Sequence, residues 1–184
     1  QQRLSVKLLL TFGVSANRLT PKRESSSLLE ATRVSNSEIV ELLLNAGAHP
    51  DIINRDNTSA LQIASQKNNS LIAQKLLKSG ASINLRDKAN KTALHYACSY
   101  TLTKLLAENG SDVNALDMFD NTALDYIKDD TIKSLLLGFN AKRGVELKTP
   151  LKTPTPKIST KATDAATPIK PDNPVVAIEK PVTL

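Results

Sequence analysis

Apolar residues along this chain fall in short clusters spaced three and four apart, the pattern of amphipathic helices, and never in long unbroken runs. The first cluster opens almost at Gln1, with Leu4, Val6, Leu8, Leu9 and Leu10. Further on, four segments align with one another: SLLEAT from Ser27, SALQIA from Ser59, TALHYA from Thr92 and TALDYI from Thr122, with starts 32, 33 and 30 residues apart. A second series runs in phase with the first: KLLLTFG ending at Gly13, ELLLNAG at Gly47, QKLLKSG at Gly80, KLLAENG at Gly110 and SLLLGFN at Asn140. The distance is 12 residues from Gly47 to Ser59, from Gly80 to Thr92 and from Gly110 to Thr122. Neither helix of such a unit can bury its apolar stripe alone, so the pattern predicts stacked helical pairs.

The residue types fit their places in that unit. Ser27, Ser59, Thr92 and Thr122 stand where a hydroxyl can cap the first helix by accepting a backbone N–H. Leu29, Leu61, Leu94 and Leu124 follow two residues later and begin the buried face, which Ala31, Ala64, Ala97 and the Leu-Leu pairs of the second helix continue. Gly13, Gly47, Gly80 and Gly110, with Asn140 in the last unit, stand where a left-handed residue stops the second helix.

A period near 33 built on a [ST]-x-L-x-x-A box, with TALHYA, GASIN and GSDVN, resembles the ankyrin repeat. The resemblance covers Leu4 to about Asn140. It implies an all-α solenoid in which each unit is helix, turn, helix and a projecting β-turn. We expect a repeat domain over 1–140, with a partial repeat at 1–18 and repeats at about 19–51, 52–84, 85–114 and 115–140. Where the family has a glycine in the turn stand Asn57, Asn90 and Asp120, which tolerate positive φ, so the turn is expected to persist. Ala60, Ala93 and Ala123 replace the family's proline, and its histidine occurs only as His95, with Glu30, Gln62 and Asp125 elsewhere. The units from Thr92 and Thr122 are about three residues short between their helices, which predicts a clipped first helix or a tighter turn. The loop from Val14 to Ser26 is expected at the surface, and the last unit reads as a terminal cap.

Composition divides the chain. The 184 residues allow one domain and an appendage, and no aromatic lies after Phe139. The net charge of +6 separates into +2 over 1–140 (16 basic, 14 acidic) and +4 over 141–184 (8 basic, 4 acidic). The latter segment, rich in Thr and Pro, buries too little apolar surface to offset its ordering entropy and is expected to be a disordered basic tail. A single cysteine, Cys98, suits a reducing compartment, the cytoplasm or nucleus. No apolar run approaches the roughly 18 residues of a membrane span, so no membrane insertion is expected. The helical pattern at Gln1 points to further sequence upstream.

Catalytic chemistry has little to draw on. His49 and His95 are the only histidines, and no Gly-rich phosphate loop, nucleophile elbow, paired-Cys spacing or H-E-x-x-H occurs. His95 and Cys98, read as i and i+3 of one helix, are two ligands where zinc takes about four. The plainer reading is a repeat-box histidine and a small buried thiol. No enzyme activity, cofactor or metal is expected.

Binding is better supplied. The turns 51–57, 84–90 and 114–120 should line up along one edge, and the resemblance implies that these fingertips and the adjoining first helices contact a protein. Candidates by position are Arg55, Asp56, Arg86, Lys88, Met118 and Phe119. Met118 and Phe119 form an apolar pair at a fingertip, unless Phe119 folds down on its surroundings. The cations either steer an acidic partner or form an ordinary solvated surface. Leu106 followed by Asp112-Val113-Asn114-Ala115 resembles the pattern read by the asparaginyl hydroxylase of ankyrin proteins, making Asn114 either an acceptor or a structural bridge across the turn. Thr20, Thr149, Thr153, Thr155 and Thr167 precede prolines and resemble sites of proline-directed kinases, or belong to a Thr/Pro spacer. The dispersed lysines lack interleaved aromatics, so no specific nucleic acid is expected. Three functions remain open: a monomeric adaptor that binds a protein partner, a targeting segment of a larger enzyme or bacterial effector, and a structural spacer with Met118 and Phe119 buried between neighbours.

Overall fold

The structure is a computed structural model that describes Asn17 and residues 25–148. Helices follow in pairs: α1 (Ser27–Arg33) with α2 (Ser37–Asn45), and α3 (Ala60–Gln66) with α4 (Ser70–Lys78). A single 3₁₀ turn (Ala93–Tyr96) then precedes α5 (Tyr100–Glu108), and α6 (Ala123–Tyr126) precedes α7 (Asp130–Gly138). A short α8 (Gly144–Lys148) ends the described chain. First helices pack on first helices, α1 on α3, α3 on the 3₁₀ turn and the turn on α6; second helices do likewise, from α2 through α4 and α5 to α7.

Side-chain caps explain where the helices begin. Ser26, Asn36, Ser59, Asn69 and Ser99 each accept from the backbone N–H three residues on, and Asp129 from Thr131 and Ile132. Left-handed residues end the second helices, Gly47, Gly80 and Gly110 at φ 82°, 84° and 88° and Asn140 at 65°. Asn57, Asn90 and Asp120, at φ 59°, 58° and 62°, keep the turn expected of them.

The first box begins one residue earlier than the sequence alignment placed it. Ser26, not Ser27, caps α1, its Oγ accepting from the Leu29 N–H at 3.3 Å. Ser25, Ser26 and Ser27 offer three possible caps, and Leu28 and Leu29 are both fully buried, so neither capping nor hydrophobicity resolves the register. From Ser26 the unit is 33 residues, as it is from Gly47 to Gly80. Leu28 then aligns with Leu61, Leu94 and Leu124, and Leu29, rather than Glu30, takes the place of His95. Ser25 and Ser26 are buried, so the end of the Val14–Ser26 segment is not surface loop.

The missing three residues come out of the first helix. α1 and α3 run seven residues and reach the next cap through a left-handed residue, Ser35 at φ 57° or Asn68 at 52°. Their counterparts run four residues and pass through an extended residue, Ala97 at ψ 121° or Ile127 at ψ 128°. Cys98 therefore lies beyond the turn that holds His95 and is exposed, which corrects the buried thiol expected of a shared helix.

One core runs through the stack: Leu28, Val40 and Leu43 join Leu61, Ile72 and Leu76, then Leu94, Leu102 and Leu106, then Leu124 and Leu136. Residues 141–148, which composition assigned to the tail, are folded. Ala141 is in the core, and the Lys142 carbonyl accepts from the Thr122 hydroxyl at 2.8 Å. The expected disorder of the remaining tail, and Thr20, Thr149, Thr153, Thr155 and Thr167, lie outside the described residues.

Candidate functional site

The projecting turns are built from one side chain each. Asn54 Oδ1 accepts from the N–H groups of Asp56 and Thr58, Asp87 Oδ1 from Ala89 and Lys91, and Asp117 Oδ1 from Phe119 and Asn121. Those bonds hold the turn in one conformation, so the fingertip side chains project from a fixed base. The two aspartates carry a second oxygen, and each takes a tyrosine hydroxyl at 2.5 Å: Tyr96 on Asp87 and Tyr126 on Asp117. Nine residues after Asn54 stands Ile63, which has no hydroxyl to give, and there the turn residue is an amide. Burial pushes the Asp117 carboxyl up, but bonds from Tyr126, Asn121 and Phe119 outweigh it and hold the group below its ordinary pKa. Burial, with the Asp87 bond, raises the Tyr96 hydroxyl.

Neighbouring fingers are tied together. The Lys88 N–H donates to the Asp56 carbonyl at 3.1 Å, and the Met118 N–H to the Ala89 carbonyl at 2.9 Å. Lys88 Nζ pairs with Asp56 at 3.1 Å, and Arg86 donates to the carbonyls of Leu116 at 2.6 Å and Asn90 at 3.2 Å. Of the six fingertip candidates, Asp56, Arg86 and Lys88 thus bond within the protein's own edge. Arg55 is exposed. Met118 and Phe119 are 56% and 66% exposed, so Phe119 does not fold down among the described residues.

Behind the tips runs a second series of bridges. Asn17 accepts from the His49 N–H at 2.6 Å and donates to the Gly47 carbonyl at 2.9 Å. Asn84 does the same to Asp112 and Gly110, and Asn114 to Lys142 and Asn140. In the fourth place stands Asp51, which accepts from the Ser82 N–H at 2.7 Å and, lacking an amide donor, also takes the Ser82 hydroxyl. The Asn114 amide is therefore engaged as a bridge, and modification there would have to open both bonds.

Sequence reasoning missed the cluster between the last two fingers. Lys91 Nζ lies 4.2 Å from the Tyr126 ring centroid, 5.7 Å from that of Tyr96 and 3.9 Å from Asp117 Oδ2. The signal was present as Asp followed nine residues later by Tyr, twice, in the two shortened units. His95 belongs to the same region but is spent on the fold. Its Nδ1 accepts from the Thr92 N–H at 3.1 Å, and Nε2 faces the Asn121 carbonyl at 3.3 Å. Among the described residues no group of three or more His, Cys, Asp or Glu is placed to hold a metal ion, and no helix is long and apolar enough to cross a membrane.

Comparison with known families agrees with this architecture. The family model for ankyrin repeats in three copies matches residues 2–87, and that for a single ankyrin repeat matches residues 90–118. No curated protein matches the chain.

Proposed function

Because this chain belongs to the ankyrin-repeat family, whose repeats generally serve as protein–protein interaction modules, we propose that it is an adaptor that holds a protein partner through its fingertips. The observation that carries the reading is the exposure of Met118 and Phe119 at the tip of the last full finger, 56% and 66%. Burying a side chain of either size contributes roughly 1.5–3 kcal/mol, and the Asp117 turn already holds the backbone that carries them, so the ordering cost left is that of the two side chains. A spacer, in which this pair would be covered by neighbouring repeats, has no such support. Arg55 is an exposed cation on the 51–57 finger, two repeats from the apolar tip, whereas Lys88 and Arg86 contribute mainly by holding one finger against the next.

The test is affinity capture from host lysate with the full chain and with the double variant Met118→Ser, Phe119→Ser, after circular dichroism has established equal helicity. A partner retained by the parent and reduced at least about tenfold with the variant is the expected result. Equal recovery by both would remove the fingertip from the binding surface.

A further inference from the structure

The three residues lost from each of the last two first helices leave a notch in the wall between them. It has a volume of 330 Å³ and is lined by Tyr96, Ala97 and Cys98 on one side and by Tyr126, Ile127 and Ile132 on the other, with His95, Lys128 and Asp129 also bordering it. That volume is at the lower end of the range for ligand clefts, about 300–1,000 Å³. The walls are fixed before anything enters. Tyr96 and Tyr126 are pinned by Asp87 and Asp117 at 2.5 Å, and Lys91 spans both rings.

The rim differs from the rest of the stack as well. In the longer units the chain leaves the first helix through a compact left-handed turn whose amides are bonded, Asn36 N–H to Ala31 and Asn69 N–H to Ala64. In the shortened units it leaves extended, and among the described residues no hydrogen bond reaches the backbone N–H of Cys98 or of Lys128. Two extended rims with open main-chain groups, on either side of an apolar recess, match a segment that is itself extended and carries a large apolar side chain.

We propose that the notch between the 3₁₀ turn and α6 receives one aliphatic or aromatic side chain of an extended peptide segment of the partner, whose main chain lies across Cys98 and Lys128. The inference rests on the protein-binding reading and adds a second, spatially separate anchor to it. The recess lies where both units have lost a helical turn that α1 and α3 keep.

Cys98 is the only cysteine of the chain and stands at the rim, so it reports on the notch directly. The full chain is equilibrated in excess 2-mercaptoethanol with mercaptopropionyl-Leu-Ala-amide, or its Glu-Ala counterpart, supplied as the mixed disulfide with 2-mercaptoethanol. Exchange joins the compound to the Cys98 sulfur and releases 2-mercaptoethanol, and intact mass gives the occupancy. The Leu compound is expected to reach half-occupancy at a concentration about tenfold lower than the Glu compound. The same pair is then measured on the variant Cys98→Ser, Asn109→Cys, whose thiol lies on an exposed helix end away from the notch. A preference confined to Cys98 supports the site. Equal preference at both thiols, or none at Cys98, overturns it, and neither result bears on the Met118 and Phe119 tip, which partner capture reads independently.

Discussion

At the scale of single residues, the capping box shows how one position is solved four ways. Gln62 accepts from the Ser59 N–H at 2.8 Å while its amide donates to the Lys91 carbonyl at 2.7 Å, linking its own helix to the next finger. His95 makes the same two links to Thr92 and Asn121 with a neutral ring protonated on Nε2. Asp125, which can only accept, takes the Thr122 N–H and the Gly144 N–H at 2.9 and 2.8 Å. Leu29 makes none of them and is simply buried. Of these residue types histidine is the one whose ordinary pKa lies near neutrality. Burial holds it below the ordinary 6.5, with Lys91 and Arg86 pushing the same way and the Asn121 carbonyl and Asp117 opposing. Protonating Nδ1 would set a donor against the Thr92 N–H. The unfolded chain therefore binds the proton more readily, so this stability is complete above about pH 6.5 and is lost as pH falls through the lower folded value. Asp117, also depressed, acts in the same direction only below the ordinary carboxylate range. Urea midpoints at pH 7.5 and 5.5 should show the parent weakening. The variant His95→Gln, which installs the amide that Gln62 already uses in the same role, should change little between the two. Equal weakening of both would place the effect elsewhere.

At the scale of the element, the helices and their stops were legible in the sequence because the causes are local: a cap, a stripe of leucines and a residue tolerant of positive φ. Register in the first unit was not legible, since three serines and two leucines in a row satisfy the same rules one residue apart, and only the 33-residue distance between Gly47 and Gly80 decides it. The bridges of Asn17, Asp51, Asn84 and Asn114 were partly legible: Asn114 stood out, but the series did not, because in sequence these are ordinary turn residues. Their partners lie 26 to 32 residues away along the chain. Asn84→Ala removes two bonds, to the Asp112 N–H and the Gly110 carbonyl, at 2.8 and 3.4 Å. Both partners are near solvent, so the expected loss is about 1–2 kcal/mol in urea denaturation. A loss below about 0.5 kcal/mol would mean that water replaces the bridge fully.

At the scale of the whole molecule, what matters is how the stack stops. Val40, Ala73 and Thr103, one helix apart in successive units, are fully covered. The next in that series is Lys133, paired with Asp130 at 2.8 Å, and Leu137, in the row of Leu44, Leu77 and Ala107, is 57% exposed. A charged group at the stacking position disfavours a further repeat, and the chain instead folds residues 141–148 across the last finger. Composition missed this because AKRGVELK is polar and lacks aromatics; the periodic placement of Ala141 after Ala48, Ala81 and Ser111 was the available signal. The fold-back depends on Gly144. A Cβ there would meet the Asp120 carbonyl oxygen at 1.8 Å, a backbone atom that cannot rotate away. Gly144→Ala must therefore lift the start of α8, breaking the Gly144 N–H bond to Asp125 and the Lys148 pair with Asp120. We expect a loss of about 1–3 kcal/mol in urea denaturation, with faster amide hydrogen exchange confined to residues 141–148 and the last finger. Protection unchanged over 141–148 would show that this segment does not cap the stack, and loss of protection throughout the chain would show that the repeats unfold as one unit with it.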